Sequence, residues 1–305
     1  MSRILVIGSS NTDMVIKLDR IPRPGETRLG GEFLSAAGGK GANQAVSAAR
    51  AGGKVTFIAH VGRDVFGQQA IAGFRRDGIN VRYISQDLTK PSGVALIFVG
   101  KNGENSIAVA GGANTRLSAA HIRKARTAIT EADILLMQLE TPLETVHQAA
   151  RIATKAGVRV ILNPAPARRL PESLLRLVSV LTPNESEAEI LSGVRVSSQK
   201  SAARAADRLL AQGAQTVIIT VGAKGALVAT KESMQFVPGI RVKALDCTAA
   251  GDVFNGALAV AISEGRSVLD AARFANAAAA ISVTRRGAQP SAPRRQEIER
   301  LLRRF

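Results

Sequence analysis

Short apolar runs alternate with stretches of helical periodicity through the second half of the chain. The pattern predicts a helix over 118–130, a strand over Asp133–Gln138, a helix over 142–156 and a strand over Val158–Leu162. Further helices and strands follow in the same way to the end of the chain. This alternation predicts a parallel sheet with helices on both faces, and it places binding sites at the carboxyl ends of the strands.

Extra strand patterns in the first half interrupt the alternation. We interpret them as a small second sheet, built from insertions at about 14–36 and 92–111, that acts as a lid. The four strand patterns lie at 14–18, 27–33, 93–99 and 106–110. We find no internal repeat and no low-complexity linker, and we expect residues 1–305 to form a single α/β domain.

One loop combines small residues with a carboxylate at a predicted helix start. Ala249, Ala250 and Gly251 leave the backbone uncovered, and Asp252 opens an apolar run. Free N–H groups at a helix start bind phosphate, where a carboxylate is unfavourable unless it removes a proton from the attacking group. Asp252 is therefore a candidate catalytic base. Asp is also a preferred helix N-cap, and the loop alone leaves that alternative equally open.

The composition is that of a globular protein. The chain has 305 residues, of which 46% are hydrophobic and 21% charged, so it can bury a sizeable core. The single cysteine, Cys247, excludes an internal disulfide framework, and three widely spaced histidines give no zinc pattern. Any metal is expected to have oxygen ligands. There is no long apolar run and no signal-peptide pattern, and we expect a cytoplasmic location.

The net charge of +17 raises the question of nucleic-acid binding. The basic residues are scattered along the chain, and an aromatic content of 3% leaves few side chains on which bases can stack. We interpret the charge as a solvated basic surface that also attracts anionic ligands. We do not expect a nucleic-acid site.

Polar and glycine-rich segments follow two further predicted strands. Asn11 and Asp13 come just after the strand Arg3–Gly8, where α/β proteins place ligands, although ordinary turn residues fit there equally well. Gly38 and Gly39 then let a ligand approach the backbone before an Ala-rich helix begins. This segment matches neither a P-loop nor a dinucleotide fingerprint, so its glycines alone are a weak signal for phosphate.

Two more segments offer groups that suit a nucleotide and its metal. Asn184 and Glu187 are three residues apart at a predicted helix start, so they share a face and offer oxygens to hydrated Mg²⁺. The same spacing is an ordinary capping pattern, which is the more common explanation. Gly222 and Gly225, which follow Thr220 in a tight turn, let the backbone approach a nucleotide, although hairpin turns look similar.

Together, these segments resemble the ribokinase-like sugar kinase family, in the expected order over essentially the whole chain. The segments that carry the resemblance are Gly38–Gln44, Asn163–Ala167, Thr182–Glu185, Asp246–Gly256 and Thr284–Ser291. The resemblance implies a Rossmann-like three-layer α/β sandwich with a small β-sheet lid. It also implies ATP-dependent phosphorylation of D-ribose at O5, which gives D-ribose 5-phosphate, with Mg²⁺ and an activating K⁺ ion.

The resemblance assigns a role to each candidate residue. Asp252 corresponds to the base, and Ala249, Ala250 and Gly251 correspond to an anion hole for the γ-phosphoryl group. The sugar site corresponds to Asn11, Asp13, Gly38, Gly39, Lys40, Asn43, Glu140 and Asp252. The nucleotide site corresponds to Asn184, Thr220, Gly222, Gly225, Gly251 and Asn276, with Asn184 and Glu187 holding Mg²⁺ through water. The K⁺ site corresponds to Asp246, Thr248, Ser282, Arg285, Gly287 and Ser291.

Other functions stay open on the sequence. A kinase for deoxyribose, another furanose sugar or a nucleoside has the same base and anion hole. Asp13, Asn43 and Glu140 together favour a free polyhydroxylated sugar. A sensor that keeps the fold without catalysis is a different class, and intact Asp252 and Gly251 argue against it. The resemblance also implies a homodimer that forms through the lid sheet.

Overall fold

Thirteen strands and eleven helices form the part of the chain that the computed structural model describes, residues 2–304. The terminal residues Met1 and Phe305 of the predicted domain lie outside it. The strands are β1 (Arg3–Ile7), β2 (Asn11–Lys17), β3 (Glu32–Gly38), β4 (Lys54–Gly62), β5 (Asn80–Asp87), β6 (Gly93–Val99), β7 (Asn105–Ala110), β8 (Ile134–Met137), β9 (Arg159–Leu162), β10 (Val180–Leu181), β11 (Thr216–Thr220), β12 (Gly225–Ala229) and β13 (Met234–Pro238).

The helices alternate with the strands of the larger sheet. They are α1 (Lys40–Arg50), α2 (Val65–Arg76), α3 (Ala119–Lys124), α4 (Arg126–Thr130), α5 (Leu143–Lys155), α6 (Glu172–Leu175), α7 (Glu185–Ser192), α8 (Gln199–Ala211), α9 (Ala250–Ser263), α10 (Val268–Ser282) and α11 (Arg295–Leu302). The larger sheet has nine strands in the order β13-β12-β11-β10-β9-β8-β1-β4-β5. Neighbours from β11 to β5 are parallel, whereas β12 and β13 pair in antiparallel fashion at one edge.

The nine-stranded sheet separates two apolar cores. Successive side chains of a strand point to opposite faces. In β1, Ile4 and Val6 accordingly pack with α1, α9 and α10, whereas Leu5 and Ile7 pack with α3, α5 and α8. Both faces of the sheet are covered, which explains why its central strands are continuous apolar runs. The predicted three-layer α/β class is confirmed.

Helix α9 lies in the middle of the first core. Eleven of its residues, Asp252–Ile262, are buried in an unbroken run, because α1 packs on one side and α10 on the other. Gly256 allows the close approach of α1, since a Cβ there would lie 2.6 Å from the Cβ of Ser47. The first turn of α9 is thereby held at a fixed position above the carboxyl ends of the central strands.

The four interrupting strands form a separate sheet in the order β3-β2-β6-β7. The chain leaves the larger sheet after β1, forms β2 and β3, and returns through α1. It leaves again after β5 to form β6 and β7. The strands predicted at 93–99 and 106–110 are confirmed and pair as a hairpin, but the strand predicted at 27–33 lies at Glu32–Gly38 instead. Gly30 and Gly31 have positive φ, and they interrupt the extended backbone conformation just before that strand begins.

Two other differences concern pairing and helix continuity. Strands β5 and β13, which the sequence did not indicate, lie at the two edges of the larger sheet. The helix predicted over 118–130 is two short helices that meet at Ala125.

No helix within residues 2–304 combines the length and apolar character needed to cross a membrane. That residues 1–305 fold as one domain stays a prediction.

Candidate active site

The carboxylate of Asp252 lies at the centre of the candidate site. Ala249 is the N-cap of helix α9, which begins at Ala250, so Asp252 is the third residue of the helix and lies in its first turn. The residue is 6% exposed. Its Oδ2 accepts a hydrogen bond from Asn43 Nδ2 at 3.0 Å, and its Oδ1 accepts one from Gln44 Nε2 at 2.9 Å. The alternative that Asp252 is the N-cap of this helix is therefore wrong.

Burial raises the pKa of Asp252 above its ordinary value. The charge of Lys40 and the hydrogen bonds from Asn43 and Gln44 oppose that shift, and the charge of Glu140 adds to it. A carboxylate whose charged form is disfavoured by burial accepts a proton more readily than one in water. The environment suits a general base, because a base works best when its pKa approaches the working pH.

The residues predicted to bind the sugar lie together beside Asp252. Asn11 pairs with Gly38 between β2 and β3, and a Cβ on Gly39 would lie 2.6 Å from the backbone nitrogen of Asn11. A Cβ on Gly38 would lie 2.2 Å from an oxygen of Asp13, so the Asp13 carboxylate rests on that glycine. These contacts explain why both glycines are needed here, and they bring the end of the small sheet to the start of α1.

Glu140 and Lys40 complete this cluster. The backbone N–H of Lys40 donates to Glu140 Oε2 at 3.0 Å, and the same carboxylate oxygen accepts a hydrogen bond from Ser9 Oγ. Burial lowers the pKa of the Lys40 ammonium, but the charges of Asp252, Glu140 and Glu187 outweigh it and raise that pKa overall. Lys40 is therefore a partly buried cation among three carboxylates.

The environment of the Asp13 carboxyl group disfavours its ionised form. Its pKa is raised to about 6, mainly by burial and further by the nearby charges of Glu140 and Asp252. No hydrogen bond from another described residue compensates for this burial. Functional sites often contain polar groups that are costly for the free protein and that a ligand satisfies.

The raised pKa predicts that Asp13 destabilises the free protein at neutral pH. Below the ordinary carboxyl pKa of 3.8, Asp13 is protonated in both states and costs nothing; the cost appears as pH rises towards about 6 and is complete above it. We expect Asp13→Asn to raise the free energy of unfolding by about 2 kcal/mol at pH 8, and by much less at pH 4. Denaturant titrations of the ligand-free protein at the two pH values measure the difference.

Asp19→Asn is the matched control for this prediction, because Asp19 lies just after the same strand with a side chain that is 88% exposed. We expect that variant to change the unfolding free energy little at either pH. An equal stabilisation by Asp13→Asn at both pH values would contradict the assigned cause.

The loop before α9 has an unusual backbone. Ala249 has φ = 59°, the only positive φ of a residue other than glycine in the described chain. Such a conformation costs an alanine roughly 1 kcal/mol, and backbone strain of this kind is concentrated at functional sites. It turns the chain so that Ala250 and Gly251 begin the helix at the edge of an open cleft. The first N–H groups of a helix have no partner inside the helix, which suits an anion there.

The predicted nucleotide residues line this one cleft, which has a volume of about 770 Å³. Its polar lining includes every residue that the sequence suggested for the nucleotide, namely Asn184, Thr220, Gly222, Gly225, Gly251 and Asn276. The sequence analysis missed most of the apolar lining, which includes Ile240, Val242, Phe254, Ala279, Ala280 and Val283. A cleft with apolar walls and a few polar groups is typical of small-molecule sites.

Asn184 and Glu187 form a complete capping box at the start of α7. Asn184 Oδ1 accepts from the Glu187 N–H at 2.8 Å, and Glu187 Oε2 accepts from the Asn184 N–H at 2.9 Å. The capping pattern that the sequence offered as an alternative is thus present, and it is formed by the two residues that were also candidates for the Mg²⁺ site. Burial raises the pKa of Glu187, whereas the hydrogen bond from Asn184 and the charge of Lys40 lower it. The remaining oxygen lone pairs fit a metal that is contacted through water.

The loops proposed to bind K⁺ meet beside the anion-hole loop. Asp246 Oδ1 accepts from the Thr248 N–H at 2.9 Å, and Asp246 Oδ2 accepts from the Gly287 N–H at 2.8 Å. Burial raises the pKa of Asp246, but these hydrogen bonds lower it overall. Ser282 and Ser291 are buried in the same segment, whereas the Arg285 side chain turns to Glu297. Residues 2–304 contain no cluster of three His, Cys, Asp or Glu side chains that suits a metal.

A family model settles the family to which these features belong. The model, described as pfkB family carbohydrate kinase, matches residues 1–295. The chain belongs to this family. The membership confirms the resemblance drawn from the sequence motifs.

Individual members of the family are similar over their whole length. A ribokinase from Haemophilus influenzae is 49% identical over 299 residues, covering 98% of each chain. A deoxyribokinase from Salmonella typhi is 39% identical over 300 residues, again covering 98% of each chain. The structure of Arabidopsis thaliana ribokinase complexed with ribose and ATP superposes with a TM-score of 0.92 at 32% identity, covering 99% of each chain.

Proposed function

We propose that this kinase transfers the γ-phosphoryl group of ATP to O5 of D-ribose and forms D-ribose 5-phosphate. The observation that carries the proposal is the position of Asp252. Its carboxylate lies between the polar side chains of Asp13 and Asn43 on one side and the helix start that borders the nucleotide cleft on the other. The high similarity to a ribokinase, and a solved relative that binds ribose and ATP, support the choice of substrates.

The pocket beside Asp252 suits a sugar with several hydroxyl groups. Asn43 Oδ1 is buried and has no hydrogen-bond partner among the described residues, although the Nδ2 of the same amide is bonded to Asp252. A buried acceptor without a partner is costly, and a sugar hydroxyl would remove that cost. Asp13 and Glu140 add acceptors, and Asn11 lies next to them. Several such acceptors together fit vicinal hydroxyls better than an apolar or charged substrate.

The catalytic step follows from these positions. Asp252 takes the proton of the O5 hydroxyl as that oxygen attacks the γ-phosphorus, and the bond from that phosphorus to ADP breaks. The N–H group of Gly251, and that of Ala250 once it leaves its 3.3 Å hydrogen bond to the Cys247 carbonyl, stabilise the negative charge of the transferred group, with Lys40 nearby. Phosphoryl transfer needs positioning and charge stabilisation rather than a covalent step on the protein. Mg²⁺, held through water by Asn184 and Glu187, would neutralise phosphate charge when bound.

Release of ADP from MgATP tests the assignment across a panel of acceptors. The panel contains ribose, deoxyribose, fructose and adenosine, with buffer alone as the blank. We expect the highest kcat/KM with ribose. A clear preference for another acceptor would replace the substrate and keep the mechanism, and no turnover with any acceptor would contradict the proposed activity.

Deoxyribose is the second candidate substrate, because a deoxyribokinase is 39% identical over nearly the whole chain. The two sugars differ by one hydroxyl group, and both carry the O5 that Asp252 would deprotonate. The acceptors around Asp13 decide between them. A site that binds a hydroxyl rejects a substrate without it, because its buried polar groups then stay unpaired.

We further propose that K⁺ binds between the loop at Asp246 and Thr248 and the segment from Ser282 to Ser291. Backbone carbonyls and hydroxyl oxygens dominate this donor set, which suits a large monovalent cation. Asp246 joins the two loops by accepting from Thr248 and Gly287. A cation there would hold the loop that precedes α9, and with it the anion hole, in one conformation.

Replacing K⁺ by Na⁺ is expected to slow the wild-type enzyme, and Asp246→Ala is expected to remove that dependence. The ratio of kcat/KM for ATP in the two salts should fall to unity in the variant, because the loops that form the site are no longer joined. Equal rates of the wild type in the two salts would contradict the site. Asp270→Ala, at an exposed position on α10, serves as a control and should keep the wild-type ratio.

The outer part of the small sheet supports the proposed homodimer. The register places Leu34, Val15, Ile97 and Ile107 side by side across the four strands, on the face that also carries Asp13. Leu34 and Ile107 are 41% and 55% exposed. A row of exposed apolar side chains across a sheet is typical of a surface that another molecule covers. We propose that a second copy covers it, so that the sheet is both lid and interface.

Ile107→Glu is expected to convert the dimer into a monomer. The substitution puts a carboxylate at the end of the apolar row, on the edge strand β7, where burial against a second copy without a partner costs several kcal/mol. Light scattering after size-exclusion chromatography gives the mass of each species. Lys124→Glu, at an exposed position on α3 away from the small sheet, should leave the mass unchanged. A wild-type protein that is monomeric at micromolar concentration would contradict the proposal.

A further inference from the structure

Three buried side-chain amides form a hydrogen-bonded chain beside Asp252, and the middle amide also donates to the Asp252 carboxylate. Gln138 Nε2 donates to Gln44 Oε1 at 2.6 Å. Gln44 Nε2 donates both to Asp252 Oδ1 at 2.9 Å and to Asn163 Oδ1 at 3.1 Å. The chain ends where Asn163 Nδ2 donates to the carbonyl oxygen of Thr182 at 2.9 Å. Gln44 and Gln138 are fully buried, and Asn163 is 7% exposed.

The direction of each hydrogen bond in this chain is imposed from the Thr182 end, because Gln138 Oε1 at the other end is buried without a partner among the described residues. The Thr182 carbonyl only accepts, so Asn163 must present its NH₂ group to Thr182 and its oxygen to Gln44. Gln44 must then direct its NH₂ group towards Asn163 and Asp252, and its oxygen receives the NH₂ group of Gln138. If the Gln44 amide flipped, its oxygen would face the oxygens of Asn163 and Asp252 and repel both.

We propose that Gln44 is a positioning residue for phosphoryl transfer, held by Gln138 and Asn163 so that it always donates to the Asp252 carboxylate. Asn43 holds the second carboxylate oxygen, so the two donors from α1 fix the plane of the carboxyl group. A fixed plane keeps one lone pair aimed at the hydroxyl that is to be deprotonated. The inference rests on the proposed function, because it assigns Gln44 a role through the base.

Gln44 is a neutral donor among several charges, and its loss leaves those charges in place. Lys40 from α1 and Glu140 from the end of β8 affect the pKa of Asp252. The charge of Asp252 in turn affects the pKa of Asp13 on β2 and that of Glu187 on α7. A hydrogen bond that is made to the charged form of an acid lowers its pKa. Removing the bond from Gln44 should therefore move the acid limb of kcat to higher pH.

Gln44→Leu tests the proposal, because leucine keeps most of the buried volume and makes no hydrogen bond. We expect kcat to fall roughly 10- to 100-fold, the KM for ribose to change less than about threefold, and the acid limb of the kcat profile to move to higher pH. A kcat within threefold of the wild type, with an unchanged acid limb, would overturn the proposal. If the variant does not fold, Gln44→Glu keeps the shape and should move the limb further, because it adds a second acid beside Asp252.

Ser47→Ala is the matched structural control. Ser47 lies one turn further along α1, and its buried hydroxyl donates to the Val253 carbonyl of α9 at 2.9 Å without touching Asp252. This variant should lower Tm and leave kcat and the acid limb unchanged. If Ser47→Ala gave the same kinetic pattern as Gln44→Leu, the role of Gln44 would be packing alone.

A third variant tests whether the rest of the chain matters, and not only Gln44, the residue that contacts Asp252. Asn163 does not touch Asp252, but Asn163→Leu removes the acceptor that fixes the direction of the Gln44 amide. We expect a smaller shift of the acid limb in the same direction, and an unchanged limb would contradict the role of the chain. Failure of the base assignment itself is distinguishable, because Asp252→Asn would then keep its turnover, whereas failure of this inference leaves Asp252→Asn inactive.

Discussion

Asp252→Asn is expected to lower kcat for ribose phosphorylation by about 10²- to 10⁴-fold, the usual contribution of a general base. An amide at this position keeps the shape of the side chain but cannot take the proton of the O5 hydroxyl. Asn43 can adapt to the new amide by turning its own, because its Oδ1 has no other partner. Ribose binding, measured by calorimetry, should therefore stay within about tenfold of the wild type.

Asp270→Asn provides an unusually close control for that variant. Asp270 is the third residue of α10, just as Asp252 is the third residue of α9, so both carboxylates interact with a helix start. The Asp270 side chain is 55% exposed and is paired with Arg273. We expect Asp270→Asn to cost a little stability and no activity. Full turnover in Asp252→Asn would show that another group takes the proton.

Asp13→Ala is expected to lower kcat/KM for ribose by about 100-fold, and that for deoxyribose considerably less. A hydrogen bond between a hydroxyl and a buried carboxylate contributes about 1.5–3 kcal/mol, and deoxyribose has one hydroxyl fewer to lose. Initial rates with each sugar at saturating MgATP measure both effects. The same variant removes the unfavourable charge of the free site, so the protein should become less active while its stability at pH 8 increases.

Thr12→Ala is the control for Asp13→Ala, since neighbouring residues of a strand point to opposite faces of the sheet. Thr12 is on β2 beside Asp13 and should affect neither sugar. Equal losses for ribose and deoxyribose in Asp13→Ala would mean that Asp13 does not contact the hydroxyl in which they differ. Such a result would favour a role for Asp13 in holding Gly38 and the start of α1.

The elements with a strong local signal were predicted closely. The helix predicted over 142–156 is α5 (Leu143–Lys155), and the strand predicted over Val158–Leu162 is β9 (Arg159–Leu162), because helical periodicity and a buried apolar run define them locally. Strand β3 was misplaced because its residues are mostly exposed and show no clear alternation. Edge strands such as β13 were missed for a related reason: an edge strand takes its pairing from a neighbour and needs little apolar sequence of its own.

The residues of the candidate site that belong to recognisable sequence motifs could be predicted, and the others could not. The six nucleotide candidates line one cleft, and Asn11, Gly38 and Gly39 meet at one corner of the small sheet. Gln44 was not assigned a role, because its importance depends on partners 119 and 208 residues away in sequence. The sequence analysis also missed the apolar wall of the cleft, since residues such as Ala279 and Ala280 look like ordinary core residues of α10.

The position of the phosphate on the product shows which hydroxyl of ribose the enzyme phosphorylates. The enzyme is incubated with MgATP and ribose, and coupling between ³¹P and the sugar protons identifies the esterified oxygen. We expect one product, ribose 5-phosphate, formed in equal amount to ADP, because we propose that Asp252 deprotonates the primary hydroxyl beside the start of α9. Phosphate on any other oxygen, or ADP formed without a sugar phosphate, would contradict this proposal.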